Sequence, residues 1–444
     1  MHRQPAHFLC RVGFLLLCIL PTAAVAGWIV QRSWPAYRLS DKQEWEKELS
    51  RQLGLRVTCA TLEYPRPDTA LLLKLALADP ETGAAVASAD SLEVVRTADK
   101  WQLVGAQVVV ETAQLPILRE QLEQRLLRRD TSSANDLCEL WFRELTLRGA
   151  DKSLTFVDEA GTWKTTAEGP ECALEFRFPE ADPQAPHGRW LVQRNRQTSP
   201  PTTRWQLSTT APLPCSVAAA AWPQLQHLGV GAQFSGEIEI IQSAADLFAS
   251  LRGTLEHIDL DALVSEQLPH RLSGLAVCKI EDARVEHNRL SLLRGTLQVR
   301  DGAVSPSLLA AATEQLQLSG PSPETLGLAR AIPFRQLSLG FDLREGGLQL
   351  TGSADPLRGG VLIATATGSL LQAPPQHHAP AAGLLNVLVL GSDRQTREGQ
   401  FLAQVLPAAK LQSHNELARQ PHVPVRMQPS REPQGPAIRQ PERR

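Results

Sequence analysis

A chain of 444 residues with 43% apolar and only 5% aromatic content exceeds one ordinary domain and supports a large core built mostly from leucine, valine and alanine. Its formal charge of −2 argues against a nucleic-acid partner, which would need a clustered basic face. The seven cysteines (Cys10, Cys18, Cys59, Cys138, Cys172, Cys215, Cys278) form no CxxC pair and no Cys/His ligand spacing, which argues against a zinc site and a disulfide scaffold and leaves most of them as small buried apolar residues.

Val12 to Val30 carries no charge and has the length of an apolar helix that crosses a bilayer. Val12, Phe14, Leu15, Leu16, Leu17, Ile19 and Leu20 form its core. Trp28, Ile29 and Val30 continue the run past Pro21 and set an aromatic near an interface. Residues 1–34 therefore read as a single-pass membrane anchor. A cleaved signal peptide is the alternative, with Ala24-Val25-Ala26 as the small-x-small site before Gly27. Either reading puts the body outside the cytoplasm.

Residues 41–130 form a helix-strand-helix module. Asp41 and Glu44 suit a capping box, Trp45, Leu49 and Leu53 recur on one helical face, and Gly54 supplies the stop. That helix faces the core or lies against the membrane. Strands follow from Leu55 to Glu111, with an interruption at Tyr64-Pro65-Arg66-Pro67 and a turn at Asp79-Pro80-Glu81-Thr82-Gly83. In such a turn Asp79 and Glu81 are solvated residues rather than a catalytic pair. Leu115 to Arg129 is the clearest helix, with Pro116 in its first turn and a stripe of Leu115, Leu118, Leu122 and Leu126. Arg125, Arg128 and Arg129 suit the negative pole of its dipole, as a solvated end or as a contact for an anionic headgroup.

Residues 131–371 alternate at period 2 and predict repeated β-hairpins. Glu159-Ala160-Gly161 reads as a turn, Trp190 and Val192 pair back across a Pro-rich turn at 179–188, and 211–233 is irregular enough to separate two halves of the sheet. Leu251-Arg252-Gly253-Thr254-Leu255 recurs letter for letter at 293–297. Between the copies lie a short helix from Asp261 to Leu268 and a hairpin tip at His287-Asn288, and Asp301-Gly302 closes the second run. Leu337 to Leu343 alternates and returns through Glu345-Gly346-Gly347 onto Leu348 and Leu350. The phrase Leu-x-Leu-x-Gly recurs at 145–149, 316–320 and 348–352, as in a sheet extended by hairpins. Residues 372–444 read as linker and Pro/Arg-rich tail, in which His377-His378 is linker rather than a metal site.

The chain contains no GxSxG, HExxH, GxxxxGK[ST] or strand-borne GxGxxG motif, and no Ser/His/Asp set suggests itself. The expectation is no enzyme and no cofactor. The N-terminal span, the Trp-containing helix with Gly54-Leu55-Arg56-Val57, the hairpin through Asp79 to Gly83, the unit from Arg271 to Ser305 and the closing hairpin Phe341 to Leu350 together resemble an AsmA-like cell-envelope protein over about 12–371. The resemblance implies membership of the bridge-like lipid-transfer group that includes TamB-like and chorein proteins. It implies a mainly β fold with a few helices, an elongated, curled antiparallel sheet forming an apolar groove behind one transmembrane helix. It also implies a single-pass protein of the inner membrane with its body in the periplasm, associated with phospholipid movement or outer-membrane assembly. Leu293, Leu297, Val299, Leu337, Leu339, Phe341, Leu343, Leu348 and Leu350 would line the groove. The expected partners are phospholipid or another acyl-chain ligand, the inner membrane, and other envelope proteins at the sheet edges. Some 16 to 18 strands at ~4.8 Å give roughly 80 Å. The competing reading is a non-catalytic structural or adhesive β-sandwich whose apolar face is only a core.

Overall fold

The computed structural model describes residues 35–387 except 98–99, 129–136, 150–151, 180–183, 185, 220–222, 245, 266–267, 269, 322–330, 345–346, 382 and 385–386. The expected anchor residues, Val12 to Val30, lie outside this range, as does a second unit, Ala408–Arg444. No helix among the described residues is long and apolar enough to cross a membrane.

Helix α1 (Pro35–Leu53) ends at Gly54, whose φ of +70° and N–H bond to the Ser50 carbonyl (2.9 Å) form the left-handed stop. The expected capping box does not form, because the helix already runs through Asp41. That carboxylate instead accepts from the Tyr64 hydroxyl (2.6 Å). β1 (Arg56–Thr58) and β2 (Thr61–Arg66) lie end to end along β3 (Thr69–Ala78). Pro65, expected to interrupt, sits inside β2. An edge strand tolerates it because its outward side needs no N–H.

β4 (Ala85–Arg96) and β5 (Lys100–Glu111) follow antiparallel. The chain then crosses through α2 (Leu115–Gln121, continuing as a π turn over Leu122–Leu127) to β6 (Leu137–Arg148), which runs parallel to β5. The expectation of a wholly antiparallel sheet fails at this one step. Parallel neighbours require a crossover, and the helix supplies it. A π turn adds a residue, so the apolar stripe steps from Leu122 to Leu127, which is fully buried.

β7 (Ser153–Thr165), β8 (Pro170–Arg177), β9 (Gly188–Asn195), β10 (Thr202–Pro214), β11 (Gln233–Gln242) and β12 (Leu247–Asp259) each pair antiparallel with the strand before. Two expected breaks are therefore absent. Glu159-Ala160-Gly161 lies inside β7, where Asp158 (φ +51°) makes a bulge and not a turn. The 211–233 region does not divide the sheet, because β10 pairs with both β9 and β11 and the helical turns that follow it stand outside the ladder.

β13 (Leu272–Ser273) and β14 (Leu275–Glu286) run end to end beside β15 (Arg289–Val304), and β14 also pairs with β12. The repeated pentapeptides thus sit on β12 and β15 with β14 between them. His287 and Asn288, at φ +52° and +62°, form the tip as expected. β15 does not stop at Asp301-Gly302 but continues to Val304, because its next neighbour extends far enough to pair Gly302 with Phe334. After α3 (Pro306–Gln315), β16 (Ile332–Arg344) carries β17 (Gly347–Gly352) and β18 (Val361–Ala364) end to end along its other side, and β19 (Ser369–Gln372) closes the order. Leu316 to Gly320 is not a strand and joins the sheet only through a bridge from Ser319 to Gln372. All nineteen strands among the described residues belong to one curled, mainly antiparallel sheet.

Candidate functional site

The sheet has one apolar side, and its register makes that side continuous. Starting from β3, directly opposed residues run Ala70, Val94, Leu103, Leu140, Gly161, Leu174, Trp190, Leu207, Ile238, Leu251, Ala283, Leu293, Leu343, Leu348. Every one is apolar or glycine. Where the apolar spacing becomes odd, from Leu72 to Leu75 in β3 and from Gly105 to Val108 in β5, Lys74 and Gln107 take φ of +50° and restore the same facing. The opposite side is polar and carries cross-strand ion pairs, including Lys164–Glu171 (3.0 Å), Arg204–Glu239 (2.6 Å) and Arg294–Asp342 (2.7 Å).

Burial along this line is uneven. At the N-terminal end Trp45, Leu49 and Leu53 of α1 pack onto a core of Val57, Leu62, Leu72, Leu75 and Val94. At the C-terminal end Leu309 and Ala312 of α3, together with Ala379, Ala381 and Val387, belong to a larger core with Leu343 and Leu348. In between, Ile238 and Leu251 pack against a third core of Cys215, Ala232 and Phe234, and Leu140, Leu174, Trp190 and Leu207 are half-buried outside these cores.

The nine residues expected to line a groove do share this face and oppose one another: Leu293 with Leu343, Leu297 with Leu339, Val299 with Leu337, Phe341 with Leu350 and Leu343 with Leu348. Five of them, Val299, Leu337, Leu343, Leu348 and Leu350, are buried in the C-terminal core, and the other four pack against it. The half-covered stretch lies further towards the N-terminus, on β6 to β10.

Several polar groups escape sequence reasoning. Glu159 is 1% exposed on the apolar face, opposite Phe142, and neither carboxyl oxygen has a hydrogen-bond partner among the described residues. Burial pushes its pKa up to about 8. His377, which reads as linker, is buried. Its Nδ1 accepts from the Leu350 N–H (3.0 Å) and its Nε2 donates to the Leu316 carbonyl (2.6 Å), so the folded body extends past the expected boundary at 371. His270 is likewise buried between Ser307 and the Val387 carbonyl (2.9 Å), and burial lowers its pKa.

The turn at Asp79 holds itself together. Its carboxylate accepts from the Thr82 hydroxyl (2.5 Å) and the Glu81 N–H (3.1 Å), and these bonds keep it below the usual carboxylate range. Of the five cysteines among the described residues, all are free thiols and three (Cys59, Cys172, Cys215) are buried. Burial pushes Cys172 up to about 12, which suits an apolar filler and not a nucleophile. No group of three or more His, Cys, Asp or Glu suited to a metal ion occurs among the described residues. The chain matches no protein-family model, no curated protein and no solved structure.

Proposed function

We propose that the protein binds or conducts phospholipid, or another acyl-chain ligand, in a trough formed by the half-covered part of its apolar face. One observation carries this reading. The opposed apolar line packs into protein cores at both ends and at Ile238 and Leu251, while Leu140, Leu174, Trp190 and Leu207 on β6 to β10 are only half-buried. A sheet with one apolar side must cover it with helices, with another sheet or with something else. Five strands at about 4.8 Å make the half-covered stretch roughly 20 Å wide, ample for acyl chains lying across it.

The resemblance to AsmA-like proteins supports the same reading and adds a setting, an inner-membrane anchor with the body in the periplasm. The edges at β2 and β19 would then meet other envelope proteins. Pro65 hinders pairing along β2, and Ser319 already takes part of the β19 edge through its bridge to Gln372.

The second reading, a structural or adhesive β protein, draws on the sealed C-terminal core, where Leu337, Leu343 and Leu348 are packed as in any closed domain. Mass spectrometry of the purified full chain separates the two. The lipid reading predicts co-purifying phospholipid in stoichiometric amount. A lipid-free protein that takes up no fluorescent phospholipid would leave only the structural role.

A further inference from the structure

A second apolar line runs beside the first, one step nearer the ends of the strands, and it is rich in tryptophan. Trp101 on β5 opposes Cys138, which opposes Trp163 on β7, and the line continues through Cys172 and Val192 to Trp205 on β10. Trp190 stands one step inward on β9, its ring 5.9 Å from that of Trp205. All four tryptophans are half-buried, Trp101 against the N-terminal core. The turns just outside this line are bound to each other. The Gln197 side-chain amide donates to the Ala167 carbonyl (3.0 Å) and the Arg196 N–H to the Glu168 carbonyl (2.8 Å), which joins the β7–β8 and β9–β10 hairpins into one rim. At the far end of the same strands the apolar face carries phenylalanine instead, with Phe156, Phe176 and Phe178 in mutual ring contact. An indole has an apolar body and a polar N–H and collects where hydrocarbon meets water, whereas a phenyl ring has no polar group to keep wet.

The direction of α1 relates this rim to the chain that precedes it. The Val57 and Cys59 N–H groups donate to Ser50 (2.9 Å) and Glu46 (2.8 Å), and the Tyr64 hydroxyl to Asp41 (2.6 Å), so α1 runs antiparallel to β1 and β2. β2 heads toward Arg66, whose row continues through Thr69 and Val95 to Gln102, next to Trp101. The start of α1, about 9 Å beyond Asp41, therefore lies at the tryptophan end of the strands. The uncharged run Val12 to Val30 that reads as a membrane anchor stops five positions before Pro35, a reach of at most about 18 Å. A bilayer holding that run and a rim of indoles thus meet at one end of the sheet.

We propose that the rim carrying Trp101, Trp163 and Trp205 sits on a phospholipid bilayer, with the strands end-on to its surface and the trough opening into it. This rests on the acyl-chain reading above. The test uses the full chain in vesicles of phosphatidylethanolamine and phosphatidylglycerol that carry a nitroxide on a fraction of the headgroups. A fluorescent side chain is placed in turn at Ala167, exposed in the rim, and at Val230, exposed at the opposite end, where its carbonyl accepts from Lys152 in the β6–β7 turn. Emission should be quenched at Ala167 and unchanged at Val230. The double change Trp163→Leu/Trp205→Leu, which keeps the face apolar, should remove the quenching at Ala167 while the protein still floats with the vesicles. Quenching that is absent at Ala167, equal at the two positions or indifferent to the double change overturns the docking. Co-purifying phospholipid without quenching at Ala167 leaves the trough standing and removes its seat on the membrane. Quenching at Ala167 in a chain that carries no phospholipid keeps the seat and removes the trough.

Discussion

Glu159 and His377 both place a polar side chain in an apolar interior, and their surroundings differ. His377 bridges the Leu350 amide and the Leu316 carbonyl, two backbone groups that water cannot reach once it is removed. His377→Ala should therefore lower unfolding free energy by about 3 kcal/mol, measured by urea denaturation, since each stranded group carries its own desolvation penalty. Glu159 has no such partners. With its folded pKa raised to about 8, the native protein holds a proton that the unfolded chain releases from about pH 4 upward, so this group's contribution to stability falls as pH rises between those values. Glu159→Gln should flatten that decline and stabilise the protein at pH 8 by up to about 4 kcal/mol while changing little at pH 5. A thermal-melt difference that is the same at both pH values would contradict the assignment. His270, with its pKa lowered by burial, works in the opposite direction and costs stability as pH falls below the ordinary histidine range. Neither Glu159 nor His377 is legible locally. Glu-Ala-Gly has turn composition, and the partners of His377 lie 27 and 61 positions away.

Among the elements, strands were more legible than connections. Period-2 alternation identifies β15, β16 and β17 and the side they share, because one face is apolar and the other carries ion pairs such as Arg294–Asp342. The repeated pentapeptide marks two strands of one local design, and its glycine has a physical reason on β12. Gly253, at φ +155°, faces Gly236 across the ladder, and an added Cβ would fall 2.3 Å from the Ser235 carbonyl oxygen. Gly253→Ala should cost roughly 1–3 kcal/mol in equilibrium unfolding. The crossover at α2 is harder to foresee. Its helix is plain in the sequence, but nothing local says that β6 will lie parallel to β5. Nor does an α-helical stripe anticipate a π turn that delivers Leu127 inward. Leu127→Ala should cost about 2–5 kcal/mol, the range for a fully buried leucine. A loss below 0.5 kcal/mol would mean that the turn is peripheral.

At the scale of the whole sheet, register turns many modest strand patterns into a single surface. No strand alone announces it, since each contributes only a few residues at half burial. The line from Ala70 to Leu348 appears only when fourteen strands are set side by side. Its ends are ordinary protein core, a third core covers Ile238 and Leu251, and between them Leu140, Leu174, Trp190 and Leu207 stay half-buried. That contrast is the basis for a lipid trough, and site-directed photo-cross-linking in the full chain reads it directly. With a photoreactive side chain placed in turn at Leu174, Leu207 and Leu343, and adducts identified by mass spectrometry, lipid should attach at the first two positions and not at the third. Lipid-free protein at Leu174 and Leu207, or labelling as strong at Leu343, would contradict the trough.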